Sequence, residues 1–170
     1  SCGFAGGLRL GLKRGSIVVG NRLVAPDLPE ILVDFQMPSD PERGLHVGAL
    51  LTVDTVVRTA ANKQALGVQF DALAVDMESY AVAALCREMQ QRFFAIRVLS
   101  DDAATDLPEE VLSLMGSTGA TRFGAVIGAL WKRPSSAQDM LRLREDAGVA
   151  AKNLADFLDG VVKQLHQAGV

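Results

Sequence analysis

Two acidic clusters are the chemically most suggestive feature of the sequence. Each directly follows a short apolar segment: residues 75–78 read Val-Asp-Met-Glu, and residues 100–102 read Ser-Asp-Asp. A carboxyl group can act as a general acid, as a general base, or as a hydrogen-bond acceptor for ligand hydroxyls. Folding alone does not require a carboxylate at the end of a buried strand. We therefore take both clusters as candidates for binding or catalysis.

The elements around these clusters have a strand–helix–strand pattern. Residues 73–76 and 93–99 are apolar and strand-like. Between them, apolar residues recur at the i, i+3, i+4, i+7 spacing of a buried helix face, namely Val82, Leu85, Cys86 and Met89. A βαβ unit has parallel strands, so we expect both acidic ends at one edge of the sheet, where open α/β sheets bind ligands.

The remaining periodicity predicts one α/β domain over residues 1–170. Strands are predicted at 16–24 and 45–53, and helices at 55–66, 123–131 and 154–165. The glycine-rich segment 3–7 is expected to be a flexible loop. Because the chain starts without Met inside this loop, we expect that an amino-terminal part of the fold precedes it.

Composition excludes several classes of protein. The formal net charge is −3 with no basic stripe, so we expect no nucleic-acid partner. No apolar run approaches the roughly 18 residues of a membrane span. The two cysteines and two histidines lack metal-ligand spacing, so no metal site is predicted. Two cysteines are too few for a disulfide framework, which fits a reducing cytoplasm.

Four segments together resemble the nucleoside phosphorylase/nucleosidase family, which includes purine nucleoside phosphorylases and methylthioadenosine/S-adenosylhomocysteine nucleosidases. They are residues 3–8, 12–19, 75–78 and 97–101. Within this family the last two segments are most similar to the hopanoid-associated phosphorylase branch. The resemblance implies a three-layer α/β/α fold with a mixed central sheet, here lacking the first strands of the family.

The resemblance also implies a reaction, cleavage of the N-glycosidic bond of an adenine nucleoside by phosphate or water. Asp101 matches the acid that hydrogen-bonds or protonates the leaving base, and Ser100 would orient it. Glu78 matches the glutamate that accepts hydrogen bonds from the ribose hydroxyls. The alternatives are structural: Asp101 as a loop carboxylate, with Asp102 the better capping residue, and Glu78 as an exposed residue in the first turn of a helix.

Further residues line the site by resemblance. Met77 would pack on the sugar or simply fill the core, and Val56 and Val57 would flank the base or begin a buried helix. Asp76 is counted with the substrate-binding residues, although we expect it to face the other way and to pair with Arg97.

The glycine-rich segment would contribute through Phe4, Ala5 and Gly6. Its backbone N–H groups could hold phosphate, an attacking water or ribose oxygens. Phe4 stands where family members often carry Ser or Thr, so a hydroxyl contact is missing here.

The expected partner is a small-molecule nucleoside, with phosphate only as a possible co-substrate and no other cofactor. Family resemblance implies a homo-oligomer, a dimer or a hexamer. Two alternatives to the enzyme stay open. One is a catalytically silent nucleoside-binding or scaffold domain of the same fold, and the other is an unrelated α/β module with solvent-facing acids.

Overall fold

The computed structural model describes residues 1–34, 37–107 and 137–167. Within these ranges the chain forms six strands and three α-helices. The strands are β1 (Cys2–Gly7), β2 (Ile17–Val24), β3 (Ile31–Leu32), β4 (Leu45–Thr52), β5 (Ala72–Asp76) and β6 (Ala95–Asp101). The helices are α1 (Ala60–Gln69), α2 (Ser79–Glu88) and α3 (Ala137–Gln167).

Five of the strands close on themselves. β2 pairs with β4 and β4 with β5, both in parallel, while β5 pairs with β1 in antiparallel fashion. β1 then runs parallel to β6, and β6 returns to β2 in antiparallel fashion. The short strand β3 pairs in antiparallel fashion with Arg22 and Leu23 in the second half of β2. The central sheet is therefore mixed, as expected, and is curled into a small barrel.

The predicted parallel pairing of β5 with β6 is wrong. β1 lies between them, antiparallel to β5 and parallel to β6, so β5 and β6 run in opposite directions. The glycine-rich segment 3–7, which was expected to form a loop, belongs to β1. Glycine suits a strand where another part of the chain comes close, and a Cβ on Gly7 would lie 3.1 Å from the backbone oxygen of Asp101.

A bulge in β2 changes which residues face the interior. The register with β4 shifts between Gly20 and Arg22, which leaves one residue of β2 without a partner. Before the bulge the even-numbered Val18 joins the main core cluster, whereas after it the odd-numbered Leu23 does so. Simple alternation along the predicted strand would therefore assign the second half of β2 to the wrong face.

Helices cover both faces of the sheet. α1 packs through Leu66 on the side of Leu51, and α2 packs through Ala83 on the side of Leu50. Consecutive residues of a strand point to opposite faces, so α1 and α2 lie in different layers. α3 packs through residues such as Leu158 on the outer side of β2 and β6. This arrangement confirms the three-layer α/β/α prediction.

The predicted buried face of α2 is wrong. The helix instead buries Tyr80 and Ala83, and the Tyr80 hydroxyl donates to the carbonyl of Pro29 at 2.6 Å. Val82 and Leu85 of the predicted face are 39% and 56% exposed. Small side chains let the helix sit close to the sheet, which turns its apolar stripe outward.

Other boundaries differ from prediction in part. β2 and β4 confirm two predicted strands, but α1 begins only at Ala60, where Thr59 caps it by accepting a hydrogen bond from Asn62 N. Residues 53–58 are irregular. α3 contains the predicted helix 154–165 and is much longer, while the predicted helix 123–131 lies outside the described residues. Across 1–34, 37–107 and 137–167, no helix combines the length and apolarity needed to cross a bilayer.

A paired glycine substitution tests the contact between α1 and the end of β1. A Cβ on Gly67 would clash with the backbone carbonyl of Leu8, whereas one on Gly160 of α3 meets open space. We expect Gly67→Ala to lower the free energy of unfolding by about 1–3 kcal/mol. Gly160→Ala should raise it by up to about 1 kcal/mol, because alanine favours the helix. Urea unfolding measures both, and equal effects of the two substitutions would contradict the close approach.

Candidate active site

A buried ion pair connects the first acidic cluster to β6. Arg97 Nε lies 2.8 Å from Asp76 Oδ2, and both side chains are almost completely buried. This confirms the predicted partnership of Asp76 with Arg97. Thr52 Oγ1 donates to the other carboxylate oxygen at 2.8 Å. The pair and the hydroxyl thus fix the ends of β4 and β5 to β6, across the intervening β1.

Asp76 also sets the start of α2. Its Oδ1 accepts hydrogen bonds from the backbone N–H groups of Glu78 and Ser79 at 3.2 and 3.1 Å. Arg97 Nη2 adds a bond to Ser79 Oγ at 2.7 Å. With four donors on its carboxylate, Asp76 positions the turn that carries Met77 and Glu78. Its predicted contact with substrate stays a prediction.

Asp101 ends β6 and is 4% exposed. Ser100 Oγ lies 2.7 Å from Asp101 Oδ1 and 3.2 Å from the carbonyl of Ala5. The predicted orienting contact from Ser100 is therefore present. Oδ2 of Asp101 is buried and accepts no aligned hydrogen bond from the described residues. It lies instead 2.6 Å from the Nζ atom of Lys63, as an ion pair.

Lys63 is the site residue that sequence reasoning missed. Its side chain has 0% exposure, and Nζ donates to the carbonyls of Asp102 and Thr105 at 3.0 and 2.9 Å. Lysine is rarely buried without a charged partner, but apolar periodicity cannot reveal such a residue. The available signal was its place on α1 four residues before Gly67, so that both share one helix face.

The loop after Asp101 is docked on the first turns of α1. Gln64 Nε2 donates to the carbonyl of Ala103 at 2.9 Å, and Asp106 Oδ1 accepts from Ala60 N at 2.7 Å. Leu107 N donates to the carbonyl of Arg58 at 2.9 Å. These bonds make the loop and the helix one supporting unit beside the Asp101 carboxyl.

Asp102 caps this loop, as predicted. Its Oδ1 accepts from Ala104 N at 3.1 Å, and its Oδ2 accepts from Arg14 Nε at 3.2 Å. Burial would raise the pKa of Asp102, but hydrogen bonds from Thr105 and Ala104 and the Arg14 guanidinium hold it below its ordinary 3.8. The stability that this carboxylate contributes is present above pH 3.8 and is lost as pH falls through the lowered pKa.

A narrow cleft brings the two acidic clusters together. Most of its wall is apolar, and the Asp101 carboxyl is among its polar groups. Its lining residues are Gly6, Val53, Thr55, Val56, Val57, Val75, Asp76, Met77, Asp101 and Leu107. The space is about 290 Å³ when counted to the open mouth, but the enclosed cavity is only about 20 Å³. That enclosed volume holds roughly one water molecule, so a larger ligand must widen the cleft.

The cleft contains six of the predicted site residues and omits others. Gly6, Val56, Val57, Met77, Asp76 and Asp101 line it, with Ser100 directly behind Asp101. Glu78 is exposed next to Met77, outside the lining. Val75 belongs to the predicted acidic cluster 75–78, Val53 and Thr55 precede the predicted base-binding residues Val56 and Val57, and Leu107 was not predicted at the site.

The predicted roles of Phe4 and Ala5 in the site are not supported. Phe4 packs against the cluster of Ile17 and Val19, and Ala5 is buried in the main core. The physical reason is that residues 2–7 form a strand, in which residues 2–6 pair with β6 and Gly6 and Gly7 pair with β5. The expected loop is therefore a strand, and the binding of phosphate or water by its backbone stays a prediction. Gly6 alone of the three lines the cleft.

The described part of the chain holds no group of three or more His, Cys, Asp or Glu side chains that could bind a metal ion. At the cleft, Asp101 and Lys63 offer one carboxyl and one ammonium group in contact with each other. Such a pair can hydrogen-bond a ligand nitrogen or move a proton.

Comparison with known proteins assigns the chain to a family. The profile of the phosphorylase superfamily matches residues 26–130, so the chain belongs to this superfamily. A 5′-methylthioadenosine/S-adenosylhomocysteine nucleosidase of Thermotoga maritima is 28% identical over 120 residues, which are 64% of this chain and 55% of the relative. The chain thus spans about half the length of that curated relative.

Solved structures give the same fold. The 5′-methylthioadenosine/S-adenosylhomocysteine nucleosidase of Helicobacter pylori, with butyl-thio-DADMe-Immucillin-A, superposes with a TM-score of 0.56 at 20% identity. The match covers 93% of this chain and 66% of that one. A Francisella philomiragia protein assigned to the same nucleosidase type has a TM-score of 0.52 at 26% identity, with 77% and 67% of the chains covered.

The packing of Gly6 against Asp101 predicts a specific effect of added volume. A Cβ on Gly6 would lie 3.2 Å from Asp101 Oδ2, whereas a Cβ on Gly3 of the same strand would lie 3.9 Å from its nearest neighbour, Arg97 Nη1. We expect Gly6→Ala to displace the Asp101 carboxyl by a few tenths of an ångström and to destabilise the protein by about 1–3 kcal/mol. Crystal structures and urea unfolding of Gly6→Ala and Gly3→Ala measure this. An undisturbed Asp101 in both variants would refute the tight contact.

Proposed function

We propose that this chain carries the base-binding and ribose-binding parts of an active site that cleaves the N-glycosidic bond of an adenine nucleoside. The observation that carries the proposal is the Asp101 carboxyl on an apolar cleft, beside the turn of Met77 and Glu78. The relatives are nucleosidases by name, which favours water over phosphate as the nucleophile.

The base would occupy the inner part of the cleft. Val56, Val57 and Leu107 offer apolar surface to the faces of a purine ring, and Asp101 offers a polar group to its edge. The bond from sugar to base breaks with its electron pair on the base, so a proton or hydrogen bond at a ring nitrogen stabilises the leaving group. General acid assistance of this kind is worth about 10²–10⁴-fold in rate.

The sugar would lie at the mouth, against Met77 and Glu78. Glu78 is exposed, and its backbone N–H is fixed by Asp76. A carboxylate there can accept hydrogen bonds from both ribose hydroxyls, each worth about 1.5–3 kcal/mol. Its negative charge also favours a transition state in which the sugar becomes positive.

Substrate entry requires the cleft to open. Because a purine exceeds the enclosed 20 Å³, we infer that residues 54–57 move outward on binding, while Val53 and Arg58 stay bonded to Asp76 and Leu107. The Asp101 side of the cleft has less freedom, since its loop is bonded to α1. The base would thus be clamped between a movable apolar wall and a fixed carboxyl group.

Adenine release from adenosine and 5′-methylthioadenosine, measured on the intact protein with and without phosphate, tests the proposal. Release that requires phosphate indicates phosphorolysis, and release in its absence indicates hydrolysis. Calorimetric binding without release would favour the silent nucleoside-binding domain. Neither binding nor release would refute the proposed function.

Removing the acid should slow the reaction without removing the binding site. Asp101→Asn keeps the size of the side chain but cannot supply a proton, so we expect kcat to fall about 10²–10⁴-fold with a small change in KM. The control is Asp27→Asn, since Asp27 is exposed and its positive φ of 58° suits asparagine. Steady-state kinetics distinguish the two, and unchanged turnover of Asp101→Asn would reject the acid role.

If Glu78 contacts the ribose, its substitution should lower kcat/KM by an amount that depends on the hydroxyl groups of the substrate. Glu78→Gln weakens hydrogen bonds to both hydroxyls of a riboside, but a 2′-deoxyriboside has already lost one of them. We expect kcat/KM to fall at least about tenfold further on the riboside than on the 2′-deoxyriboside. Glu88→Gln, at the exposed far end of α2, is the control. Equal losses on both substrates would exclude the predicted contact.

A homo-oligomeric state, a cytoplasmic location, the lack of a cofactor and the absence of a nucleic-acid partner stay predictions from the sequence.

A further inference from the structure

Lys63 is buried at a place where the proposed reaction needs a proton. Its Nζ is 2.6 Å from Asp101 Oδ2, and its other contacts are two backbone carbonyls of the following loop. Burying an ammonium group is costly unless it is paired. A helix that needed only to dock on this loop could use a neutral amide, as Gln64 does one residue later.

The ion pair creates a difficulty for a simple acid role of Asp101. In an ion pair the carboxyl group is a carboxylate and the proton is on the ammonium group, and a carboxylate cannot donate a proton. The departing base nevertheless needs one. The proton that is available in the buried site is the one that Lys63 and Asp101 share.

We propose that Lys63 is the positioning residue of Asp101 and the reservoir of the proton that reaches the leaving base. The inference rests on the proposed function. It assigns to α1 a part in the chemistry, through a residue that does not line the cleft itself.

The step balances in protons and electrons. When the nucleoside excludes water, transfer of one proton from Lys63 Nζ to Asp101 Oδ2 replaces two poorly solvated charges by two neutral groups. The bond from sugar to base then breaks, the base keeps the electron pair, and Asp101 gives the proton to a ring nitrogen of the base. Neutral Lys63 and ionised Asp101 remain. Water bonds to the cationic sugar carbon and releases one proton to the solvent, and Lys63 regains one proton from the solvent after the products leave.

Six charged side chains on the elements around this pair have other partners. They are Asp76 with Arg97, Asp102 with Arg14, Asp106 with the backbone of Ala60, and Arg58 with the backbone of Leu107. Lys63 is therefore the cation that contacts the Asp101 carboxylate within the described residues. Because the surrounding charged groups have other partners, a double-mutant cycle can measure the interaction of Lys63 with Asp101.

The first experiment measures coupling in stability and needs no turnover. Lys63→Met, Asp101→Asn and the double variant are compared by urea unfolding of the intact protein. We expect Lys63→Met to lower the equilibrium constant for folding on the order of 10²–10³-fold, because it leaves a buried charge unpaired. When Asp101→Asn is added to Lys63→Met, the equilibrium constant for folding should rise again by at least about tenfold. Gln64→Leu, which removes a bond to the same loop, should show no such coupling.

The second experiment measures the pH dependence of kcat. Without Lys63, Asp101 must take its proton directly from water. We expect Lys63→Met to retain activity at acid pH and to lose kcat as the pH rises, by up to about tenfold per pH unit. The natural protein should stay active through neutral pH, and KM should change little. Gln64→Leu should keep the natural profile.

The outcomes separate the inference from the proposed function. A Lys63→Met variant with the natural pH profile at uniformly lower kcat, or with no coupling to Asp101, overturns the reservoir and leaves a structural lysine. Adenine release by the natural protein would in that case still support the function. If the natural protein releases no adenine although the coupling is present, the function fails, and the reservoir fails with it.

Discussion

The site depends on the buried ion pair of Arg97 with Asp76. A single guanidinium group on β6 reaches past β1 to the end of β5, and the same carboxylate orders the first turn of α2. Losing one partner of such a pair leaves an uncompensated buried charge, at a cost of about 3–5 kcal/mol. The position of Met77 and Glu78 relative to Asp101 therefore follows from this interaction, because strand pairing alone does not hold the turn after β5.

Two buried carboxylates beside one cleft have different surroundings, and the difference separates their roles. Asp76 receives four donors, which fix it as a structural group. Asp101 receives one hydroxyl group and one ammonium group, and its Oδ2 lacks an aligned hydrogen bond from the described residues. A carboxyl group that can accept a further hydrogen bond and lies beside an ammonium group is suited to acid–base chemistry. Gly6 makes the arrangement possible, since any side chain there would press on Asp101.

Prediction from sequence succeeded where the information was local. The strands β2 and β4 were predicted from apolar periodicity to within one residue at each end, and the contact of Ser100 with Asp101 followed from the family resemblance. The expected pairing of Asp76 with Arg97 is also present. Prediction failed where the direction of a strand or the packing of an element in three dimensions decided the structure. The apolar stripe of α2 has ideal helix spacing but faces outward, because small residues on the other side fit the sheet more closely. The glycine-rich segment carries turn residues yet forms the strand between the two clusters.

The sequence by itself determined which side chains could do chemistry and which segments were extended, since both follow from residue type and from periodicity along the chain. It also determined the family, through the order of its motifs. Only the tertiary structure decided that β5 and β6 run in opposite directions with β1 between them, and that Lys63 lies against Asp101. These two residues are 38 positions apart, and no local pattern records a contact made by burying a charge between a helix and a strand.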